Sequence, residues 1–252
     1  MQTDKLLGSY NWGIRTGGSL NSMDKIGLAI KAISMRLNRR FRMSREPIEF
    51  NLDKIKLPDS KLIALTLEYI NDVHKEPLRN HCLRTFVIGD IFGQSDKLKY
   101  DKELYAISAL LHDLGLEDNR CCLHTHIDCF AIEGAKEAGI FLKEHGLSDE
   151  KIKIVQDAIA FHLNLKIPKP LSEAYLLNKA SATDTIGLYR HELCDTTATQ
   201  ITDKYPRLGF NEEVHQMLKK QCEIRPKSRI SFLYSNGFGG LLKENRFDKK
   251  VL

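Results

Sequence analysis

No stretch of the chain reaches the roughly 18 consecutive apolar residues that a membrane-spanning helix needs, so no membrane partner is expected. No Cys-x-x-Cys pair occurs, although Cys82, Cys121, Cys122, Cys129, Cys194 and Cys222 are present. The paired-ligand spacing of a zinc finger is therefore missing. No glycine-rich phosphate cradle occurs, and Leu-Gly-Leu-Glu at 114–117 lacks P-loop character. Internal repeats and low-complexity tracts are also absent, which excludes a fibre or a disordered chain. The first thirty residues lack the continuous apolar core of a secretory signal. Free thiols and a cytoplasmic location are the expectation.

Charge of one sign is scarce as well. The 38 Lys and Arg against 33 Asp and Glu leave a net +5. The densest basic run is Arg36, Arg39, Arg40, Arg42 and Arg45. Nucleic-acid binders concentrate basic residues on one face. This run reads instead as a solvated segment, and no nucleic-acid partner is expected.

What is present is a globular composition, 42% hydrophobic over 252 residues. A chain of that length can bury a single core without disulfides. Residues 1–50 read as irregular, with Tyr10 and Trp12 tucking an arm onto the body. That arm fits over the site or across a homodimer. From residue 59 the pattern is helical, with Ile63, Leu67 and Ile70 at i, i+4, i+7. Pro77 suits the first turn of the next helix, which Gly93 ends. Asp101 can cap a helix whose 105–114 stretch is apolar nearly all round, and Gly115 stops it. Further helices are expected at about 130–145, after Ser148, at about 172–191 and at about 211–223. The fold class is all-α, with an N-terminal arm over 1–56 and one domain over 57–252.

Polar residues stand where this pattern wants apolar ones. His81 lies on the Leu78–Thr85–Ile88 stripe. His112 and Asp113 sit within the most apolar helix, and Asp184 shares a face with Leu177, Ala180 and Leu188. A buried carboxylate costs several kcal/mol, on the order of 3–5, unless it is compensated. One divalent cation would compensate all four residues together. Taken singly, each has a plainer reading, as a core histidine bonded to backbone or an aspartate paired with arginine.

These residues form a recognisable series. His81, Leu-Leu-His112-Asp113-Leu-Gly and Asp184 in Ala-Thr-Asp-Thr-Ile-Gly resemble the H…HD…D signature of the HD superfamily. Within it the chain resembles the cyanamide hydratase branch. Asn80-His81-Cys82-Leu83-Arg84 resembles that branch's N-H-S-x-R, and Phe130-Ala131-Ile132-Glu133-Gly134-Ala135 its F-E-x-x-G-A. Ile159-Ala160-Phe161-His162 resembles I-x-x-H. Tyr205-Pro206-Arg207 and Arg225-Pro226-Lys227 resemble its P-R…K-P ending. The departures are Ala131 for an acidic residue and Cys82 for a serine, both expected near the pocket.

The resemblance implies an HD-domain helical bundle and a metal held by His81, His112, Asp113 and Asp184. Such nitrogen and oxygen ligands suit zinc first, with iron, manganese or cobalt as alternatives. It further implies a hydrolase or hydro-lyase in which metal-bound water attacks a small-molecule substrate, such as cyanamide or a related nitrile. His162 would serve as pocket acid/base, as a hydrogen-bond donor to substrate, or as a ligand of a second ion. Arg84 would orient an oxyanion or a ligand carboxylate, and Asn80 would contact substrate or cap a turn. The alternatives are a phosphohydrolase acting on a nucleotide or phosphate ester, and a non-catalytic metal-binding regulatory protein.

One further cluster, Cys121-Cys122-Leu-His124-Thr-His126-Ile-Asp128-Cys129, packs six potential ligands into nine residues. It reads as a lid loop over the site, with His126 or Asp128 as pocket candidates.

Overall fold

A computed structural model of the chain describes residues 3–39, 46–117, 127–245 and 247. Apart from one isolated bridge, Ile48 to Leu193, the regular structure among these residues is helical. The elements are α1 (Tyr10–Thr16), α2 (Ser22–Arg39), α3 (Lys61–Val73), α4 (Glu76–Ser95), α5 (Lys102–Leu111) and α6 (Phe130–Glu144). They continue with α7 (Asp149–Phe161), α8 (Ser172–Ile186), α9 (Asp195–Lys204), α10 (Phe210–Ile224), α11 (Arg229–Leu233) and α12 (Gly239–Lys243). No helix among the described residues is long and apolar enough to cross a membrane.

The central element is α5, which packs on α3, α4, α6, α7 and α8. Its position follows from composition, because every residue from Leu104 to Leu111 is buried. The Asp101 carboxylate caps it, accepting from the backbone N–H groups of Glu103 and Leu104. The helix ends earlier than its apolar run suggests. Leu111 is its last residue, Asp113 has left helical geometry at φ −104° and ψ 13°, and a 3₁₀ turn follows at Leu114–Leu116.

Gly115 therefore does not act as a left-handed stop. A Cβ there would lie 1.9 Å from the carbonyl oxygen of Phe130, and one on Gly134 would lie 2.8 Å from the Gly115 nitrogen. These two glycines let the 3₁₀ turn touch the first turns of α6, backbone against backbone. Gly93 likewise does not end α4, which runs on to Ser95. The Tyr100 ring fills the space beside it. Conversely, α8 stops at Ile186, short of its expected end, because Gly187 takes the left-handed conformation at φ 66°.

Residues 1–50 are more ordered than expected, since α1 and α2 lie within them. Ser9 caps α1 by accepting from the Trp12 N–H at 3.1 Å. Tyr10 and Trp12 do tuck onto the body. The Tyr10 N–H donates to Asp157 at 3.0 Å, and buried Trp12 lies under the Arg229 guanidinium. On α2, Leu28 packs inward while Met23, Ile26, Ile30 and Ile33 face out. Of the arginine run, residues 40–45 fall outside the described residues.

Candidate metal centre

The site forms where α4, the end of α5, the end of α7 and α8 meet. Pro77 in the first turn of α4 starts a helix that carries Asn80, His81 and Arg84, all buried. His81 stacks on the Phe210 ring from α10, with centroids 4.5 Å apart. His112 is the C-cap of α5 and Asp113 follows it. Leaving the helix at this point turns the Asp113 carboxylate back toward both imidazoles.

The hydrogen bonds define the tautomers. His81 Nδ1 donates to Asp184 Oδ2 at 2.6 Å, and His112 Nδ1 donates to the Ala109 carbonyl at 2.8 Å. In each neutral ring the remaining nitrogen, Nε2, is a lone-pair acceptor. Those two Nε2 atoms stand 3.1 Å apart, with Asp113 Oδ2 at 3.5 Å from one and 3.3 Å from the other. Three acceptors thus face one another in a buried spot, an arrangement that is repulsive by itself. Atoms held about 2.0–2.2 Å from a common zinc-like centre have this spacing. His81, His112 and Asp113 can therefore hold a metal ion. Their outer bonds, one to a carboxylate and one to a carbonyl, are the supports that metal-binding histidines use.

Protonation agrees with this geometry. Burial pushes the His112 pKa down to about 4, with Asp113 opposing and His81 reinforcing the shift. Burial would raise Asp113, but His112, His81 and His162 bring it below its ordinary value. At neutral pH the Asp113 carboxylate is ionised and the His112 ring neutral, so binding a cation there displaces no proton from either.

Asp184, expected as a fourth ligand, stands one layer back. Arg84 grips it through Nε to Oδ1 at 2.8 Å and Nη2 to Oδ2 at 2.9 Å. Arg207 adds Nη1 to Oδ1 at 2.9 Å, and His81 Nδ1 takes the remaining side of Oδ2. Burial opposes ionisation of Asp184, yet Arg84, Arg207 and His81 hold its carboxyl far below the usual range. In this arrangement it orients His81 and offers no oxygen to the three-acceptor cluster. Arg84 commits its guanidinium to the Asp184 carboxylate and does not line the cavity. Its Nη1 donates to the carbonyls of Tyr205 and Pro206, at 3.0 and 3.2 Å. Asn80 donates to the Pro206 carbonyl at 2.9 Å, so its amide anchors the loop before α10.

His162, the C-cap of α7, is buried beside the cluster. Its Nδ1 donates to the Ile159 carbonyl at 2.6 Å, which leaves Nε2 as acceptor 3.8 Å from Asp113 Oδ1. Burial, with His112 adding to it, lowers its pKa to about 3. Asp113 and His162 both line a cavity of about 810 Å³. Cys82 and Ala131, the two departures from the branch pattern, do not line it. Burial pushes the Cys82 thiol well up, so it stays protonated against His112.

In the cysteine–histidine cluster, residues 121–126 fall outside the described residues. Asp128 accepts from Ser19, and its N–H donates to the Gly17 carbonyl, so it ties the arm to the body. Cys129 accepts from Arg229 at 3.3 Å. Reading the sequence alone missed Arg207 and Phe210 as supports of the centre. Arg207 had a signal, as a motif residue whose partner was unassigned. Phe210 had none.

Residues 78–197 match the family model of the HD domain. That span contains His81, His112, Asp113, His162 and Asp184. No curated protein matches the chain.

Proposed function

The match over residues 78–197 supports the HD superfamily, whose members are generally metal-dependent hydrolases, and on that footing we propose a metal-dependent hydrolase or hydratase acting at a carbon electrophile. One observation carries the reading: the Nε2 atoms of His81 and His112 and the Asp113 carboxylate converge, all buried, within metal-ligand distance of one another. The proposed ligands are His81, His112 and Asp113, with Asp184 as the carboxylate that orients His81. A divalent cation supplies Lewis acidity and lowers the pKa of water there.

The remaining roles belong to the chain itself. The Ile159 carbonyl fixes the His162 tautomer, so Nε2 meets the cavity as a base. With its pKa lowered to about 3 by burial, the ring rests neutral, so a proton is held there only in passing. It can pass to a nitrogen or oxygen anion developing on the substrate. A nitrile carbon is one such electrophile, and cyanamide, giving urea, is its smallest form. The phosphoryl alternative is less well supported. Arg84, the cation best placed by sequence, is committed to Asp184 and to backbone carbonyls.

The test is metal content of freshly purified protein beside an Asp113→Ala variant, read by mass spectrometry. The expected result is about one ion per chain, lost in the variant, as for a site closed by so few protein ligands. A wild type that binds no metal on titration overturns the reading. Turnover of a nitrile panel supports the hydratase form, whereas phosphate release from nucleotides without nitrile turnover replaces it.

A further inference from the structure

The cavity beside the centre is far larger than a cyanamide-sized molecule needs. Its volume is about 810 Å³, within the range that encloses drug-sized ligands. Cyanamide would leave almost all of it empty. The wall is largely apolar, built by Phe130, Tyr175, Val214, Leu218, Ile230 and Phe238 from α6, α8, α10, α11 and the turn after α11.

Several polar residues of the wall are engaged elsewhere, while Lys166, Lys169 and His191 line its exposed side. Asn164 donates to the Leu7 carbonyl at 2.7 Å and accepts from Arg229 at 2.8 Å. Asn178 donates to the carbonyls of His162 and Asn164. Lys179 pairs with Glu192 at 2.7 Å. Neither Arg84 nor Arg207 reaches the wall, so the two buried guanidiniums nearest the centre cannot receive a phosphate. By contrast, Asp113 and His162 keep acceptor atoms at the wall.

We propose that the cavity selects an amphipathic small molecule, with a compact polar head at Asp113 and His162 and an apolar body along α8 and α10. The inference rests on the metal-centre reading above, since the head must reach that centre. It adds the body, which recognition of a small nitrile would not require.

The probes are straight-chain alkyl hydroxamates from acetohydroxamate to octanohydroxamate, titrated calorimetrically into protein loaded with divalent metal. Their heads chelate divalent ions, so the shortest member reports on the centre and the slope reports on the cavity. Affinity is expected to rise about fourfold per methylene, the value for burying one apolar carbon. Ala182→Trp, at a half-buried position of the wall, is expected to abolish the slope and to leave acetohydroxamate unchanged. A flat series with acetohydroxamate still bound overturns the inference and leaves the metal centre standing. A slope that survives Ala182→Trp overturns its assignment to this cavity. If no hydroxamate binds and no metal loads, the reading beneath it has failed.

Discussion

Asp184 has no solvent exposure and accepts from three cationic or histidine side chains, so its charge is held in place from several sides. Asp184→Asn would keep its shape and remove that charge. Arg84 would then be a fully buried cation without the carboxylate it grips, and Arg207 would lose one of its bonds, which costs about 3–5 kcal/mol. A urea titration of the metal-stripped variant checks this, because metal binding then adds nothing to the difference. A midpoint equal to wild type would remove the structural role argued for Asp184. The same residue marks how far the sequence could be read. A carboxylate on an apolar helix face was visible, as were His81, His112 and Asp113, because each interrupts a buried pattern. Whether Asp184 faces the metal or stands behind a histidine was not visible. That depends on Arg84, on another helix, and on Arg207, 23 positions later in the chain.

At the scale of elements, α4, α5 and α7 were legible from their starts: Pro77 in a first turn, the capping Asp101 carboxylate, and Ser148 at the N-cap position, though its side chain makes no capping bond. Their ends were harder to read, because glycine has two uses. At Gly187 it supplies a left-handed cap, whereas at Gly115 it removes a side chain that would strike α6. Periodicity cannot separate these uses, since the second is a long-range contact. α1 is too short to show a period. On α2 Met23, Ile26, Ile30 and Ile33 do repeat at helical spacing, but the arginine-rich stretch beside them obscured it. Gly115→Ala tests the packing role. Its Cβ meets backbone, which cannot swing aside, so a loss of about 1–3 kcal/mol is expected, as for other overpacked sites. Because Gly115 lies two residues after Asp113, metal stoichiometry should fall with stability. Thermal melting and metal analysis on the same sample check both. A fully loaded variant with wild-type stability would show that the turn and α6 can separate freely.

For the whole molecule, the centre joins parts of the core that the chain brings together from far apart. His81 comes from α4, His112 and Asp113 from the end of α5, and the brace on His81 from α8. The helical class was legible from burial patterns, as were His81, His112, Asp113 and Asp184 as polar interruptions, whereas their reading as metal ligands came from the resemblance. The cavity was not, because its wall draws on α10, α11 and the following turn, where the pattern was loose. An ion that binds only the folded arrangement stabilises it by about 2.7 kcal/mol at a hundredfold excess over its dissociation constant. For a chain of this size that corresponds to a rise of roughly 5–10 °C in melting temperature. The relief of repulsion among the two Nε2 atoms and the Asp113 carboxylate is already contained in that affinity. Chelation should therefore lower the wild-type melting temperature by about that amount, and re-addition of the ion should restore it. Asp113→Ala should melt at one temperature with or without chelator. If it shifted as the wild type does, the ion would be held elsewhere in the fold, and the convergence of His81, His112 and Asp113 would need another cause, such as a shared proton between the two rings.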